Sequence, residues 1–141
     1  MNQEVRSILT FNGYVVNQVE FYKNDQCTED DSFDVKLDIQ RNIERKPKEN
    51  KGYVTIKTKI FEDAVKHNYP FSMNIVITGE FEVESDDEDQ VRKLLEINAM
   101  AILFPYIRAL ITTYTANANI EPLILPPINI LKLTNNHIEK S

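Results

Sequence analysis

From Phe71 to Glu84 the chain sets Phe71, Met73, Ile75, Ile77, Phe81 and Val83 against Ser72, Asn74, Thr78, Glu80, Glu82 and Glu84. Only a backbone that turns its side chains to opposite faces at each step uses such a pattern, so the segment predicts a β-strand with one apolar and one wet face. At about 3.3 Å per residue it extends for roughly 45 Å. Three earlier segments carry the same signal. Leu9 to Tyr22, "LTFNGYVVNQVEFY", places Phe11, Val19 and Phe21 at alternate positions, and its alternation slips around Gly13 to Val16, where a bulge is expected. Phe33 to Ile39 sets Phe33, Val35, Leu37 and Ile39 against Asp34, Lys36 and Asp38. Tyr53 to Phe61 sets Val54, Ile56 and Ile60 against Thr55, Lys57 and Lys59, and "RNIERKPKENKG" between these two reads as a hairpin connection. The expected result is a four-stranded antiparallel meander, about 9–84. Its apolar face needs a covering layer, and only the carboxy-terminal third can supply one.

That third opens with Ser85 followed by Glu88, the spacing of a capping box, and Asp86, Asp87 and Asp89 suit the positive end of a helix starting near Asp86. Val91, Leu94, Leu95 and Asn98 share a face of an ordinary amphipathic helix. From Met100 to Tyr114 the pattern changes. Ile102, Leu103, Phe104, Tyr106, Ile107, Leu110, Ile111 and Tyr114 occupy most of the circumference, and Arg108 is the sole charge. A single sheet cannot bury a helix on all sides. Pro105 removes a backbone donor and predicts a kink or a restart, with Asn98 as a possible cap. The helical segment, about 86–118, gives way to "NIEPLILPPINI", an apolar loop punctuated by prolines, and a tail within 119–141. The fold class is thus α+β in a single domain over 1–141, with the long helical segment packed on one face of the sheet.

Charge and composition narrow the function. A formal net charge of -6 on 141 residues disfavours binding to a phosphate backbone, which needs a basic surface. No nucleic-acid partner is expected. Cys27 has no mate, and "MNQEVRSILTFNG" lacks the basic start and apolar core of a secretory signal, so the chain reads as cytoplasmic and free of disulfides. The longest apolar run is far below the roughly 18 residues of a membrane span, and none is expected. "TEDDSFD" lacks the spacing and glycine of a calcium loop, and "ESDDEDQ" is accounted for by helix capping, so no metal is expected. Negative neighbours disfavour a reactive Cys27 thiolate. His67 and His137 stand apart from any nucleophile motif, and no cofactor loop or catalytic constellation is visible.

The string "ILFPYIR", followed at similar spacing by "PLILPPINI", resembles the carboxy-terminal signature of the SecB family of protein-export chaperones, where an ILFPY-type helix leads to a PPLNLPPVNF-type loop. The resemblance extends over roughly Leu9 to Leu131, with a long fourth strand carrying an internal glycine, here Gly79, followed by Phe81. It implies an ATP-independent holdase that binds unfolded or precursor polypeptides in grooves beside the helix and its following loop. It also implies a homotetramer, a dimer of dimers with helices sandwiched between two sheets, which would cover the second face of the all-round apolar helix. Members that hand cargo to the SecA motor use acidic side chains on the first and fourth strands. The matching positions are Gln18, Tyr22, Ser72 and Asn74, none of them acidic, which argues against SecA. After Ile130 only "LKLTNNHIEKS" follows, at most about two turns of the family's terminal helix. Some SecB-like proteins serve antitoxins, a second kind of partner for this chain.

On this reading the polypeptide-binding groove comprises Phe104, Tyr106, Leu123, Leu125 and Ile128, because apolar residues on a surface loop need a reason. The oligomer interface comprises Ile102, Leu103, Ile107, Leu110 and Ile111. Phe104, Pro105, Tyr106 and Ile107 also fit a plain core. Arg41, Arg45, Lys46, Lys48 and Lys51 around the second hairpin fit a solvated tip that keeps strand edges from pairing. A hotdog-like small enzyme is the rival from another class, but that layout places its helix early in the chain, and here it is last.

Overall fold

The structure, a computed structural model, describes residues 8–27 and 34–126. Four strands form one antiparallel sheet: β1 (Leu9–Lys23), β2 (Leu37–Lys46), β3 (Lys51–Ile60) and β4 (Phe71–Val83). Their order is β1-β4-β3-β2. β2, β3 and β4 make the expected meander, whereas β1 pairs with β4, so that β1 and β2 hold opposite edges. Every second residue of β4 from Phe71 to Val83 is buried, as its alternation requires.

β2 corrects the sequence expectation. Phe33 lies outside the described residues, and residues 34–36 are not part of the strand, which starts at Leu37 and continues through the charged stretch to Lys46. Its helix-side face reads Leu37, Ile39, Arg41, Ile43 and Arg45, pairing with Ile60, Thr58, Ile56, Val54 and Gly52. The two arginines hid the strand because each reaches past the apolar layer to a polar partner. Arg41, buried, donates from Nη1 to the carbonyl of Glu96 at 3.0 Å. Burial lowers its pKa from the usual arginine value, opposed by the Glu96 carboxylate. Arg45 donates to the Lys51 carbonyl at 2.9 Å and forks onto both Glu88 oxygens at 3.4 and 3.3 Å. Two residues of the expected solvated tip therefore join the sheet to the helical layer. The hairpin turn itself is only Pro47–Glu49 and Asn50, whose φ of 55° suits asparagine.

β1 contains two bulges, with Asn12 and Asn17 the extra residues. Outside them Leu9, Phe11, Val19 and Phe21 share the helix-side face, and between them Tyr14 and Val16 take that place, opposite Gly79 and Ile77. This switch is the slip seen in the sequence. Both extra asparagines bond across the open face, Asn12 to Glu80 at 3.4 Å and Asn17 to the Thr78 hydroxyl at 2.7 Å.

Between β3 and β4, where no helix signal is present in the residue pattern, a single turn, α1 (Ala64–His67), forms. It follows Phe61 and Asp63, both at positive φ of 53° and 58°. Buried Asn24 clamps this crossover to the end of β1, donating to the carbonyls of Ala64 and Tyr69 at 3.2 and 2.8 Å.

The covering layer is α2 (Glu88–Lys93), a π-helical turn Leu94–Asn98, and α3 (Ala99–Asn117). Asp87, not Ser85, caps α2, its carboxylate accepting from the amides of Asp89 and Gln90. Ser85 instead accepts from Asp87 N–H and donates to Gln90. Nor does the helix restart at Asn98, which makes no side-chain cap; Pro105 sits within a continuous α3. Val91, Leu95, Ala99, Leu103, Ile107, Ile111 and Thr115, four residues apart throughout, are all buried. In a regular α-helix that spacing winds off the face it starts on, and the wider π turn reduces the drift. Two glycines let the helix approach closely. A Cβ on Gly52 would meet Leu95 at 2.6 Å, and one on Gly79 would meet Leu103 at 2.8 Å. By length and composition alone the stretch Glu88–Asn117 is long and apolar enough to cross a bilayer. Its buried side chains lie in the core against the sheet, and a core helix meets the same measure.

Candidate functional site

α3 has a sheet-facing side and two flanks. Met100, Leu103, Phe104, Ile107 and Ile111 are buried against the chain's own sheet, each contributing on the order of 1.5–3 kcal/mol by burial. Leu103, Ile107 and Ile111, expected between subunits, and Phe104, expected in a groove, are core residues of the single chain. Ile102 and Leu110, the other two expected interface positions, are half-buried and keep apolar surface free.

On one flank exposed Tyr106 meets Tyr14 of β1 with ring centroids 4.4 Å apart and Phe11 at 6.1 Å. Tyr14, Val15 and Val16 are exposed on this edge strand, Val15 at 57%. The sequence showed this segment only as broken alternation; the bulges are what bring Tyr14 and Val16 to the helix side. Exposed Tyr114 lies two turns beyond Tyr106.

The opposite flank faces the loop after α3. Residues Pro105, Arg108, Ala109, Thr112, Thr113, Ile124 and Leu125 line a cavity of about 430 Å³. Leu125 is buried, Leu123 half-buried, and Ile124 between them 74% exposed. Arg108 and Thr112 donate to the carbonyls of Leu125 and Leu123 at 3.1 and 2.9 Å, and Thr115 accepts from Leu123 N–H at 2.8 Å. Sequence reasoning missed these polar holders, although a lone arginine and two threonines in an apolar helix were the signal. Ile128 lies outside the described residues.

The sheet's other face is open. Register places Gln18, Tyr22, Ser72 and Asn74 on it together, as expected, with Glu20 beside them accepting from Asn74 at 3.1 Å. A shallow cavity of about 590 Å³ is lined there by Tyr22, Lys59, Glu62, Asp63, Lys66, Ser72 and Asn74 among others. Cys27 is half-buried and donates to the Asn68 carbonyl at 3.4 Å. Among the described residues, no group of three or more His, Cys, Asp or Glu side chains could hold a metal ion. The arrangement offers apolar contact and backbone hydrogen bonding.

The family described as preprotein translocase subunit SecB matches residues 15–141. An uncharacterised protein of Methanocaldococcus jannaschii is 38% identical over 137 residues, 96% of this chain and 88% of that protein. Protein-export protein SecB of Zymomonas mobilis is 29% identical over 74% of this chain, and that of Bartonella bacilliformis 24% identical over 73%. This chain spans 63% and 65% of those two proteins' own lengths. Among solved structures, a Mycobacterium tuberculosis SecB-like chaperone in complex with an antitoxin peptide has the same fold, with a TM-score of 0.70 at 11% identity, covering 91% of this chain and 93% of that one.

Proposed function

This chain belongs to the SecB family of chaperones, and from that premise we propose that it is a cytoplasmic, ATP-independent holdase that captures non-native polypeptides along the two flanks of α3. The observation that carries the reading is the uncovered apolar surface there. Tyr14, Val16, Tyr106 and Tyr114 are exposed on or beside one flank, and Ile124 stands out on the other. Burial of apolar area is non-directional at roughly 25 cal/mol per Å², so such a surface accepts many sequences. Half-buried Ile102 and Leu110, with the edge of β1, supply further apolar surface for a homotetramer, a dimer of dimers.

The test is suppression of aggregation of a chemically denatured client without nucleotide, with assembly followed by light scattering. Tyr106→Asp is expected to weaken suppression at least several-fold while the secondary structure stays intact. No suppression by the parent protein at a stoichiometric ratio would sink the proposal.

A second reading, a dedicated chaperone of one partner such as an antitoxin, draws support from two observations. The M. tuberculosis protein of the same fold holds an antitoxin peptide. The open face presents uncharged Gln18, Tyr22, Ser72 and Asn74 at the positions that the family resemblance matches to SecA-docking carboxylates, with the carboxylate of Glu20 among them. Crosslinking in the native host separates the two, since a broad set of precursors supports the general role and one small protein the dedicated one.

A further inference from the structure

The loop after α3 is gripped in a way that does not depend on its side-chain identities. Both backbone groups of Leu123 are taken: Thr115 Oγ1 accepts its N–H at 2.8 Å, and Thr112 Oγ1 donates to its carbonyl at 2.9 Å. Arg108 Nε then donates to the carbonyl of Leu125 at 3.1 Å. Thr115 sends its own hydrogen to the carbonyls of Ile111 and Thr112, at 2.8 and 3.2 Å, which leaves its lone pairs toward the loop. Going from Leu123 to Leu125 the contacts step back from Thr112 and Thr115 to Arg108, so the loop runs antiparallel to the helix. Alternate residues sit inward, Leu123 and Leu125, and Ile124 points out. These are the terms on which any extended polypeptide is recognised, by backbone groups of alternate residues and an apolar seat beneath them.

Among the described residues the grip is short. Pro122 and Pro126 flank it and lack an N–H, so the loop cannot extend the row of bonds in either direction with donors of its own at those positions. An extended client offers the same backbone N–H and carbonyl groups at alternate residues and competes for the same three side chains.

We propose that Arg108, Thr112 and Thr115 form a seat for extended polypeptide that the chain's own segment 121–126 occupies at rest, and that a client binds by displacing it. This rests on the reading of the protein as a polypeptide-binding chaperone. The occupant lowers apparent affinity, because a seat open only one-tenth of the time raises the apparent Kd about ten-fold. The kind of client that fits carries apolar residues two apart in an extended stretch.

The experiment uses the full chain and a labelled, permanently unfolded polypeptide, reduced and carboxymethylated, as probe. Leu125→Ala removes the anchor of the loop but not the seat, and is expected to bind the probe about ten-fold more tightly than the parent. A second variant does not depend on Leu125 packing: Ala109→Cys and Ile124→Cys, both lining the cavity, in a Cys27→Ser background. Oxidation ties the loop down and is expected to cut probe binding about ten-fold or more, with reduction restoring it. Full binding by the oxidised form, or unchanged or weaker binding by a folded Leu125→Ala, overturns displacement. Failure of the parent protein itself to bind the probe overturns the proposed function instead, so the two failures are told apart.

Discussion

Replacing Gly79 by alanine tests how tightly the helical layer is seated on the sheet. Gly79 lies on the helix side of β4, paired with Tyr14 and Val54, and a Cβ there would stand 2.8 and 2.9 Å from the two Leu103 methyls and 3.0 Å from Phe81 Cε1. Leu103 and Phe81 are fully buried, so neither has solvent to retreat into. Overpacking of this kind costs about 1–3 kcal/mol. The lost backbone freedom of the unfolded chain returns roughly 0.4–1 kcal/mol. Gly79→Ala is therefore expected to destabilise by about 1–2 kcal/mol net, read as a lower urea midpoint by far-ultraviolet circular dichroism. Leu103→Ala alone is expected to cost about 2–5 kcal/mol by cavity formation. Combined, the two should cost less than their sum by about 0.5–3 kcal/mol, because the added methyl moves into the space the leucine leaves. A neutral or stabilising Gly79→Ala, or strict additivity in the cycle, would refute the close approach.

Thr58 Oγ1 is buried and has no hydrogen-bond partner among the described residues, so Thr58→Val is expected to raise stability by about 1 kcal/mol, seen as a higher urea midpoint at unchanged slope. Asn24→Ala removes the two bonds that hold the β3–β4 crossover and should cost about 1–3 kcal/mol, with faster amide exchange in residues 61–70 as its local signature. Lys51 and Glu80 pair at 3.0 Å on the open face; their hydrogen bond raises the lysine pKa and lowers the glutamate pKa. The Glu80 contribution is present above the ordinary glutamate value, near about 4.3, and is lost as pH falls through its depressed pKa. The Lys51 contribution is present below about 10.4 and is lost as pH rises through its raised pKa. A Lys51→Met variant should accordingly differ most from the parent between those values, in a series of urea midpoints against pH, and the gap should close toward acid.

Period-two alternation was enough to find β4 and β3 because both are central strands with one face buried, where each residue's side is fixed by its neighbours on either hand. It failed for β2 because an edge strand tolerates arginine on its inner face when the guanidinium can reach a carbonyl, as Arg41 does at Glu96. Asp87 displaced Ser85 as the cap by a two-residue shift that composition cannot resolve, since both side chains suit the role. The pairing of β1 with β4 was not readable, because a partner across the sheet leaves no local mark. At the candidate site the apolar surplus of Ile102 to Tyr114 was plain, but its division was not. Which residues of an all-round apolar helix face the sheet goes with how it is seated, Leu95 of the π turn over Gly52 and Leu103 over Gly79, and neither contact leaves a local mark in the sequence.

The two bulges of β1 have a consequence for how this strand tolerates change in length. Each absorbs one extra residue on the spot, two residues standing against one, so the strand beyond it stays in step with β4 while the numbering of its inward residues switches from odd to even and back. Loss of Asn12, of Asn17 or of both would close the bulges into a regular ladder and leave Leu9, Phe11, Tyr14, Val16, Val19 and Phe21 opposite the same β4 partners. A residue removed between the bulges, where pairing is one to one, has no such slack: it would force one of the extra asparagines into the ladder and reverse the facing of the residues between. The two asparagines are thus the places where this strand can lose length, and the paired residues beside them are the places where it cannot.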